Sequence, residues 1–104
     1  MLLDVRDAAR DDLTDHYIWL TREAGLDIAE TMAASADEAL FRLLDIPAIG
    51  SPVETRSVEL EDLRKWRIPG FPKLLIFYVV DERSLAVLRV LHAAQDWLAK
   101  PDES

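Results

Sequence analysis

The sequence predicts an α+β fold in which an N-terminal helical hairpin covers one face of a small antiparallel sheet. Three features predict it: two segments with helical periodicity in the first half, an alternating segment at residues 63–68, and two apolar runs at residues 74–80 and 85–91. The chain has 104 residues and is expected to form a single domain over residues 1–104.

Two helices are predicted in the first half, because apolar residues recur there at spacings of three and four. The first covers residues 7–24, and Gly25 is expected to end it in a left-handed cap. Its inward stripe is Ala9, Leu13, Tyr17, Leu20 and Ala24.

The second helix is predicted from about residue 27 to residue 45. Asp27 is expected to be its N-cap, with Glu30 completing a capping box, and Pro47 to follow its end. Its inward stripe is Ala29, Met32, Ala36, Ala39 and Leu43. Because the link at Gly25 is so short, the two helices are expected to form an antiparallel hairpin.

The sheet is predicted from an N-terminal edge strand and a three-stranded meander. Residues 1–5 supply the edge strand, and residues 63–68, 74–80 and 85–91 supply the meander. Turns are predicted at Pro69-Gly70 and at residues 81–84, whereas residues 48–55 are expected to form a loop. A short helix is predicted over residues 93–100, before Pro101.

Charge separates an acidic first half from a nearly neutral second half. Residues 1–50 hold four Lys/Arg and eleven Asp/Glu, a balance of −7, whereas residues 51–100 hold eight and seven. With a net charge of −8, the chain is not expected to bind nucleic acid by itself, because phosphate contacts dominate such binding. A local basic strip remains, at Arg64, Lys65, Arg67 and Lys73.

Cysteine is absent, which excludes disulfides and Cys-based zinc sites and fits a cytoplasmic location. No signal peptide is evident and no apolar segment reaches the length of a membrane span, so no membrane association is expected. The two histidines and the scattered acids have no metal-ligand spacing, and neither a metal nor another cofactor is predicted.

Several segments resemble the RelE/ParE-type toxins of type II toxin–antitoxin systems. The most specific is PGFPKLLIFYVV at residues 69–80 with LAVLRVLHAAQDW at residues 85–97, which is similar to the ParE branch. The other matching positions are Ala9 with Asp12-Leu13, Pro47-x-x-Gly50 and Leu63-Arg64.

This resemblance implies the RelE/ParE fold and the function of a ParE-like toxin. It implies growth inhibition by binding DNA gyrase, and neutralisation by a ParD-like antitoxin from an adjacent gene, in a toxin–antitoxin hetero-oligomer. Under this interpretation the chain has no catalytic residues.

A RelE-like, ribosome-dependent ribonuclease is the first alternative. Attack by the RNA 2′-hydroxyl requires a base and cations that stabilise the phosphorane, and the candidates would be Arg64, Arg67, Lys73, Arg89 and His92. ParE-like chains commonly carry a basic residue at or near Gln95, and its absence here weakens the catalytic interpretation. A second alternative is a degenerate, non-toxic binding module.

Antitoxin-binding residues are predicted on the first helix and the first meander strand. Trp19 lies off the inward stripe beside Ile18, which indicates an apolar groove for an amphipathic antitoxin segment. The predicted set is Leu13, Tyr17, Trp19, Leu20, Arg64, Trp66 and Arg67. Ion pairing with acids of the helices is the alternative role for Arg64, Lys65 and Arg67.

The predicted target-binding set is His92, Gln95 and Trp97. For His92 a structural role is the alternative, in which the ring fixes the turn after the last strand. His16 is expected to be a surface residue or a packing partner. Of the three tryptophans, at least one is expected to be covered by a partner, since a small domain buries three with difficulty.

Overall fold

The computed structural model describes residues 1–54 and 62–93. The predicted order of strand, two helices and three-stranded meander is confirmed, and one further short strand is present. The elements are β1 (Leu2–Val5), α1 (Asp7–Ala24), α2 (Leu26–Asp45), a 3-10 turn (Pro47–Ile49), β2 (Ser51–Pro52), β3 (Arg64–Ile68), β4 (Phe71–Val80) and β5 (Ser84–His92). The helix predicted over residues 93–100 lies, after Ala93, outside the described residues.

The five strands form one mixed sheet in the order β1-β5-β4-β3-β2. Strands β3, β4 and β5 are antiparallel neighbours, as predicted for the meander. The expectation of a purely antiparallel sheet was wrong, because β1 pairs with β5 in parallel. Parallel neighbours need a long crossover, and the two helices supply part of it.

Both helices pack on one face of the sheet through the predicted stripes. Ala9 is fully buried on α1, and Leu13, Tyr17 and Leu20 pack against the same core while partly buried. Ala24 is exposed at the turn between the helices, contrary to its predicted inward position. The whole α2 stripe is buried, as predicted: Ala29, Met32, Ala36, Ala39 and Leu43.

The turn between the helices consists of Gly25 alone. Its φ of 101° and ψ of 159° lie in a positive-φ conformation that favours glycine but outside the left-handed helical region that was predicted. Its N–H bonds to the carbonyls of Leu20 and Thr21, which closes α1. Because Leu26 is already helical, Asp27 falls inside the first turn of α2, and the predicted capping box was wrong.

The short strand β2 lies within residues 48–55, which were predicted as a loop. Ser51 pairs with Lys65 and Pro52 with Arg64 at the edge of the sheet. Proline has no N–H to donate to a ladder, so in sheets it is confined mainly to edge strands. Glycine, serine and proline therefore indicated a loop where a two-residue edge strand forms.

A β-bulge in β5 changes which residues face the helices. Phe77 pairs with Arg89 and Tyr78 with Val87, which leaves Leu88 as the extra residue. Val87 and Val90 are consequently both buried in the main core although they are three positions apart. The opposite face of the sheet carries a second apolar cluster around Leu63, Phe77 and Leu91.

Candidate functional site

A groove of about 650 Å³ lies between the C-terminal half of α1 and the paired ends of β4 and β5. The strand walls meet where Leu74 pairs with His92 and where the Ala93 N–H bonds to the Lys73 carbonyl at 2.6 Å. We call it the α1 groove, and the residues that line it are His16, Trp19, Leu20, Phe71, Pro72, Lys73, Leu74 and His92.

The α1 groove combines apolar walls with basic and titratable groups. Helical spacing places His16, Trp19 and Leu20 on one side of α1, and the Trp19 side chain is 60% exposed. Lys73 and the two histidines are the polar residues of the lining, and no carboxylate lines the groove among the described residues. This composition suits an apolar ligand that also carries negative charge.

His16 is a fixed part of the groove wall, because it bonds to the β5 backbone. Its Nε2 donates to the Val90 carbonyl at 2.7 Å, and Asp12, one turn earlier on α1, accepts the Val90 N–H at 2.9 Å. Strand β1 ends at Val5, opposite Val87. Beyond Val87, β5 therefore has no neighbouring strand on this side among the described residues. Two α1 side chains therefore take the place of a neighbouring strand at Val90.

Arg89 forms a two-point ion pair with Asp12. The guanidinium Nε and Nη2 atoms lie 2.7 and 2.9 Å from the two carboxylate oxygens, and the carboxylate side chain is only 12% exposed. The bonds to this carboxylate raise the pKa of Arg89. Pairing with helix acids was suggested for Arg64, Lys65 and Arg67, and among the described residues no ion pair involves these three. A pair of this kind forms at Arg89, for which none was predicted.

Arg64 instead holds the turn that follows α2. Its Nη1 donates to the carbonyls of Gly50 and Ala48, at 2.6 and 3.3 Å. Tyr78, its partner across β3 and β4, donates its hydroxyl to the Pro47 carbonyl at 2.7 Å and accepts the Gly50 N–H at 2.9 Å. The Tyr78 side chain is fully buried, and this burial raises its pKa.

The five residues considered for RNA cleavage are spread over the molecule. Lys73 and His92 both line the α1 groove. Arg64 is bound to the turn at Gly50, Arg89 is paired with Asp12, and Arg67 is exposed on the face of β3 away from the helices. The structure therefore brings together two of the five.

The residues predicted to bind the antitoxin also lie in different parts of the molecule. Trp19 and Leu20 line the α1 groove, whereas Leu13 and Tyr17 pack, partly buried, against the main core. The three residues of β3, Arg64, Trp66 and Arg67, lie outside this groove. Of the predicted target-binding set, His92 lines the groove, and Gln95 and Trp97 lie outside the described residues.

The groove residues that sequence reasoning missed are Phe71, Pro72, Leu74 and His16. The strand had been predicted to begin at residue 74, whereas β4 begins directly after the turn, at Phe71. The earlier start of the strand could have been predicted from Phe71, because an aromatic residue just after a Pro-Gly turn favours a strand. His16 gave a weaker signal, namely its position one turn from Asp12 and Leu20.

Across residues 1–54 and 62–93, no group of three His, Cys, Asp or Glu side chains is placed to hold a metal ion. Neither helix in this part of the chain is long and apolar enough to cross a bilayer.

A helical hairpin on one face of a five-stranded mixed sheet is a fold shared with solved toxin structures. One is described as the chromosomal ParDE TA system from P. aeruginosa, with a TM-score of 0.72 and 16% identity, covering 88% of this chain and 95% of that one. Another is the YoeB/ParE toxin from Agrobacterium tumefaciens, with a TM-score of 0.61 and 16% identity, covering 88% and 98%.

The amino-acid sequence, compared with models of protein families, shows the family of this chain. Residues 3–97 match the family model described as the ParE toxin of the type II toxin–antitoxin system, parDE. The chain belongs to this family, as the resemblance at residues 69–97 implied. No curated relative matches the sequence.

Proposed function

We propose that this chain is a growth-inhibiting toxin, neutralised when an amphipathic segment of its cognate antitoxin occupies the α1 groove. The family match over residues 3–97 carries the first part of the proposal, since that family is the toxin half of a pair. The second part depends on the α1 groove, whose walls are mostly apolar and which lies beside the exposed Trp19.

Trp19 is the expected anchor of that contact. A tryptophan that is 60% exposed on a helix beside apolar walls is a typical hot-spot residue at protein interfaces. Lys73 and the two histidines would receive acidic residues of the antitoxin segment, and no described carboxylate in the lining would repel them. Arg67 and Trp66 lie elsewhere on the sheet and would need a second portion of the antitoxin.

We infer DNA gyrase as the target, inhibited by binding and without bond cleavage. The resemblance to ParE implies this target, and the distribution of cations agrees with it. Stabilising a phosphorane requires several cations around one phosphate. Here Arg64 and Arg89 are already engaged in contacts with the protein's own backbone and with Asp12.

RNA cleavage is the second candidate, and one observation favours it. Lys73 and His92 both line the α1 groove, so that one cation and one titratable ring face the same space. A histidine can act as general acid or base near neutral pH, and a lysine can stabilise developing negative charge.

Expression without the antitoxin tests the proposal, with three readouts. Growth arrest together with inhibited supercoiling by purified gyrase would support the gyrase proposal. Cleaved message in a translation extract, lost in the Lys73→Ala and His92→Ala variants, would replace it with the ribonuclease. Absence of growth arrest from folded protein would leave an inert binding module and contradict toxicity.

A further inference from the structure

Phe41 is a large apolar side chain on the outer surface of α2. Its side chain is 68% exposed, and the buried stripe of the helix, from Ala29 to Leu43, lies on the opposite side. Asp37 and Asp45 are one turn before and one turn after it, and Glu38 is three residues before it. We call these four residues the Phe41 patch.

The Phe41 patch is acidic as well as apolar. Its three carboxylates are exposed, and in the described part of the chain no ion pair or hydrogen bond involves them. A surface with an apolar hollow and cations at its rim would complement an aromatic ring held among carboxylates, in polarity and in charge. Exposed aromatic residues on a surface of this kind typically mark protein contacts.

A surface of that description exists on the same chain, at the outer side of β3. A groove of about 460 Å³ is lined by Ser51, Lys65, Trp66, Arg67, Pro69 and Leu75. We call it the outer groove. Lys65 and Arg67 are exposed, no described residue forms an ion pair with either, and no described carboxylate lines the groove.

We propose that the Phe41 patch of one copy docks into the outer groove of a second copy. Phe41 would contact Leu75 and Pro69, while Asp37 and Asp45 would approach Lys65 and Arg67. The helix surface around Phe41 carries three carboxylates and one cation, Arg42, whereas the outer groove carries the cations Lys65 and Arg67 and no described carboxylate. The occupant is therefore a second copy of this chain.

The placement of the two surfaces determines the symmetry of the contact. Phe41 points away from the sheet. On β3, Trp66 and Ile68 pack against the helical core. Because side chains alternate along a strand, Lys65 and Arg67 lie on the opposite face of the sheet, away from the helices. Two copies related by a two-fold axis cannot make both contacts at once. The association is head-to-tail, with one free patch and one free groove at its ends.

The contact is small, and copies of net charge −8 repel one another at long range. We therefore expect weak association, with a dissociation constant of about 0.1–1 mM, as for small transient interfaces. Sedimentation of the purified full-length chain in buffer of physiological ionic strength would show a mass that rises with concentration over this range.

Two variants with matched controls test the proposal. Phe41→Ala removes the ring, and Arg67→Glu reverses a charge in the outer groove. Each should weaken association at least about 10-fold, a loss of about 1.4 kcal/mol. Ile18→Ala, at another exposed apolar position, and Arg83→Glu, at an exposed cation in the β4–β5 turn, should each associate like the original chain.

Mixing the two variants separates head-to-tail association from every other arrangement. The Phe41→Ala chain keeps its groove and the Arg67→Glu chain keeps its patch, so an equimolar mixture should regain association but stop at dimers. A monomeric original chain at about 1 mM, unchanged association in either variant, or a mixture that stays monomeric would each overturn the proposal.

Discussion

The Asp12 carboxylate and the Arg89 guanidinium, 77 residues apart in sequence, form a two-point ion pair that joins α1 to the edge of β5. The same carboxylate accepts a hydrogen bond from the Val90 N–H, so one side chain pairs with a cation and also binds an edge N–H of β5. The contact lies beside His16, which forms part of the α1 groove. The position of the groove wall therefore depends on it.

Asp12→Asn should destabilise the fold. It removes the negative charge opposite Arg89, whose side chain is 30% exposed, and so weakens the two bonds between this carboxylate and the guanidinium. We expect a loss of about 2 kcal/mol in the free energy of unfolding, measured by urea denaturation. Asp11→Asn, at the exposed neighbouring position, should change it by less than about 0.5 kcal/mol. Equal effects of the two substitutions would contradict a specific role for Asp12.

Tyr78→Phe should also destabilise the fold, through the turn that follows α2. Without the hydroxyl, the Gly50 N–H and the Pro47 carbonyl lose their partner beside the core. The expected loss is about 1–3 kcal/mol in the free energy of unfolding. Tyr17→Phe is the matched control, since no described hydrogen bond involves the Tyr17 hydroxyl. A Tyr78→Phe chain as stable as this control would show that the two bonds contribute nothing.

The pKa of Tyr78 predicts how stability changes at alkaline pH. Burial raises this pKa above its ordinary value of 10.0, so the unfolded chain loses the phenolic proton before the folded chain does. The free energy of unfolding should therefore decline as the pH rises above about 10, and the Tyr78→Phe chain should lack this part of the decline. Denaturation of both chains at about pH 9 and about pH 11 would measure the difference. Parallel declines would contradict the prediction.

Gly50→Ala should destabilise the same turn for a steric reason. The backbone of Gly50, at φ −70° and ψ 155°, suits any residue, but an added Cβ would collide with the Tyr78 hydroxyl and lie 2.8 Å from the Lys65 carbonyl. Crowding of this kind typically costs about 1–3 kcal/mol. Ser51→Ala, at the next and exposed position, is the control in the same denaturation series. If Gly50→Ala left the free energy of unfolding unchanged, the Tyr78 side chain would be able to move aside without loss of stability, and the prediction would be wrong.

Trp19→Ala should separate partner binding from stability. Because the ring is 60% exposed, its loss should change the free energy of unfolding by less than about 1 kcal/mol. Binding of the cognate antitoxin, measured by calorimetry, should weaken at least about 30-fold, as for a hot-spot residue of about 2 kcal/mol. Ile18→Ala lies on the same helix outside the groove and should bind normally. Equal binding by the two variants would place the antitoxin elsewhere.

Much of the fold could be predicted from periodicity. The bounds of α1 and the α2 stripe from Ala29 to Leu43 were correct, because a spacing of three and four directly reflects which side of a helix is buried. The meander was also predicted, from apolar runs separated by turn residues. The parallel pairing of β1 was not, since an isolated strand carries no signal for the direction of its neighbour.

The candidate site was only partly predictable. Trp19 lay visibly off the apolar stripe of α1, and the structure exposes it beside a groove. The other wall comes from Phe71 to Leu74 and from His92, which are distant in sequence and meet α1 only through the pairing of β4 with β5. Spacing along one element cannot indicate which element will face it.

The sequence by itself determined the two helices, the meander and the family, because these follow from local periodicity and from a continuous run of matching residues. Only the tertiary structure decided which charges meet. Eleven acids and four cations occupy the first half of the chain, and the tertiary structure brings one of those acids, Asp12, to 2.7 Å from Arg89 of the sheet. That choice depends on the register of β5 and on its bulge at Leu88, which place Arg89 and Val90 beside one turn of α1. Ion pairs between distant segments depend on such geometry, which residue type does not encode.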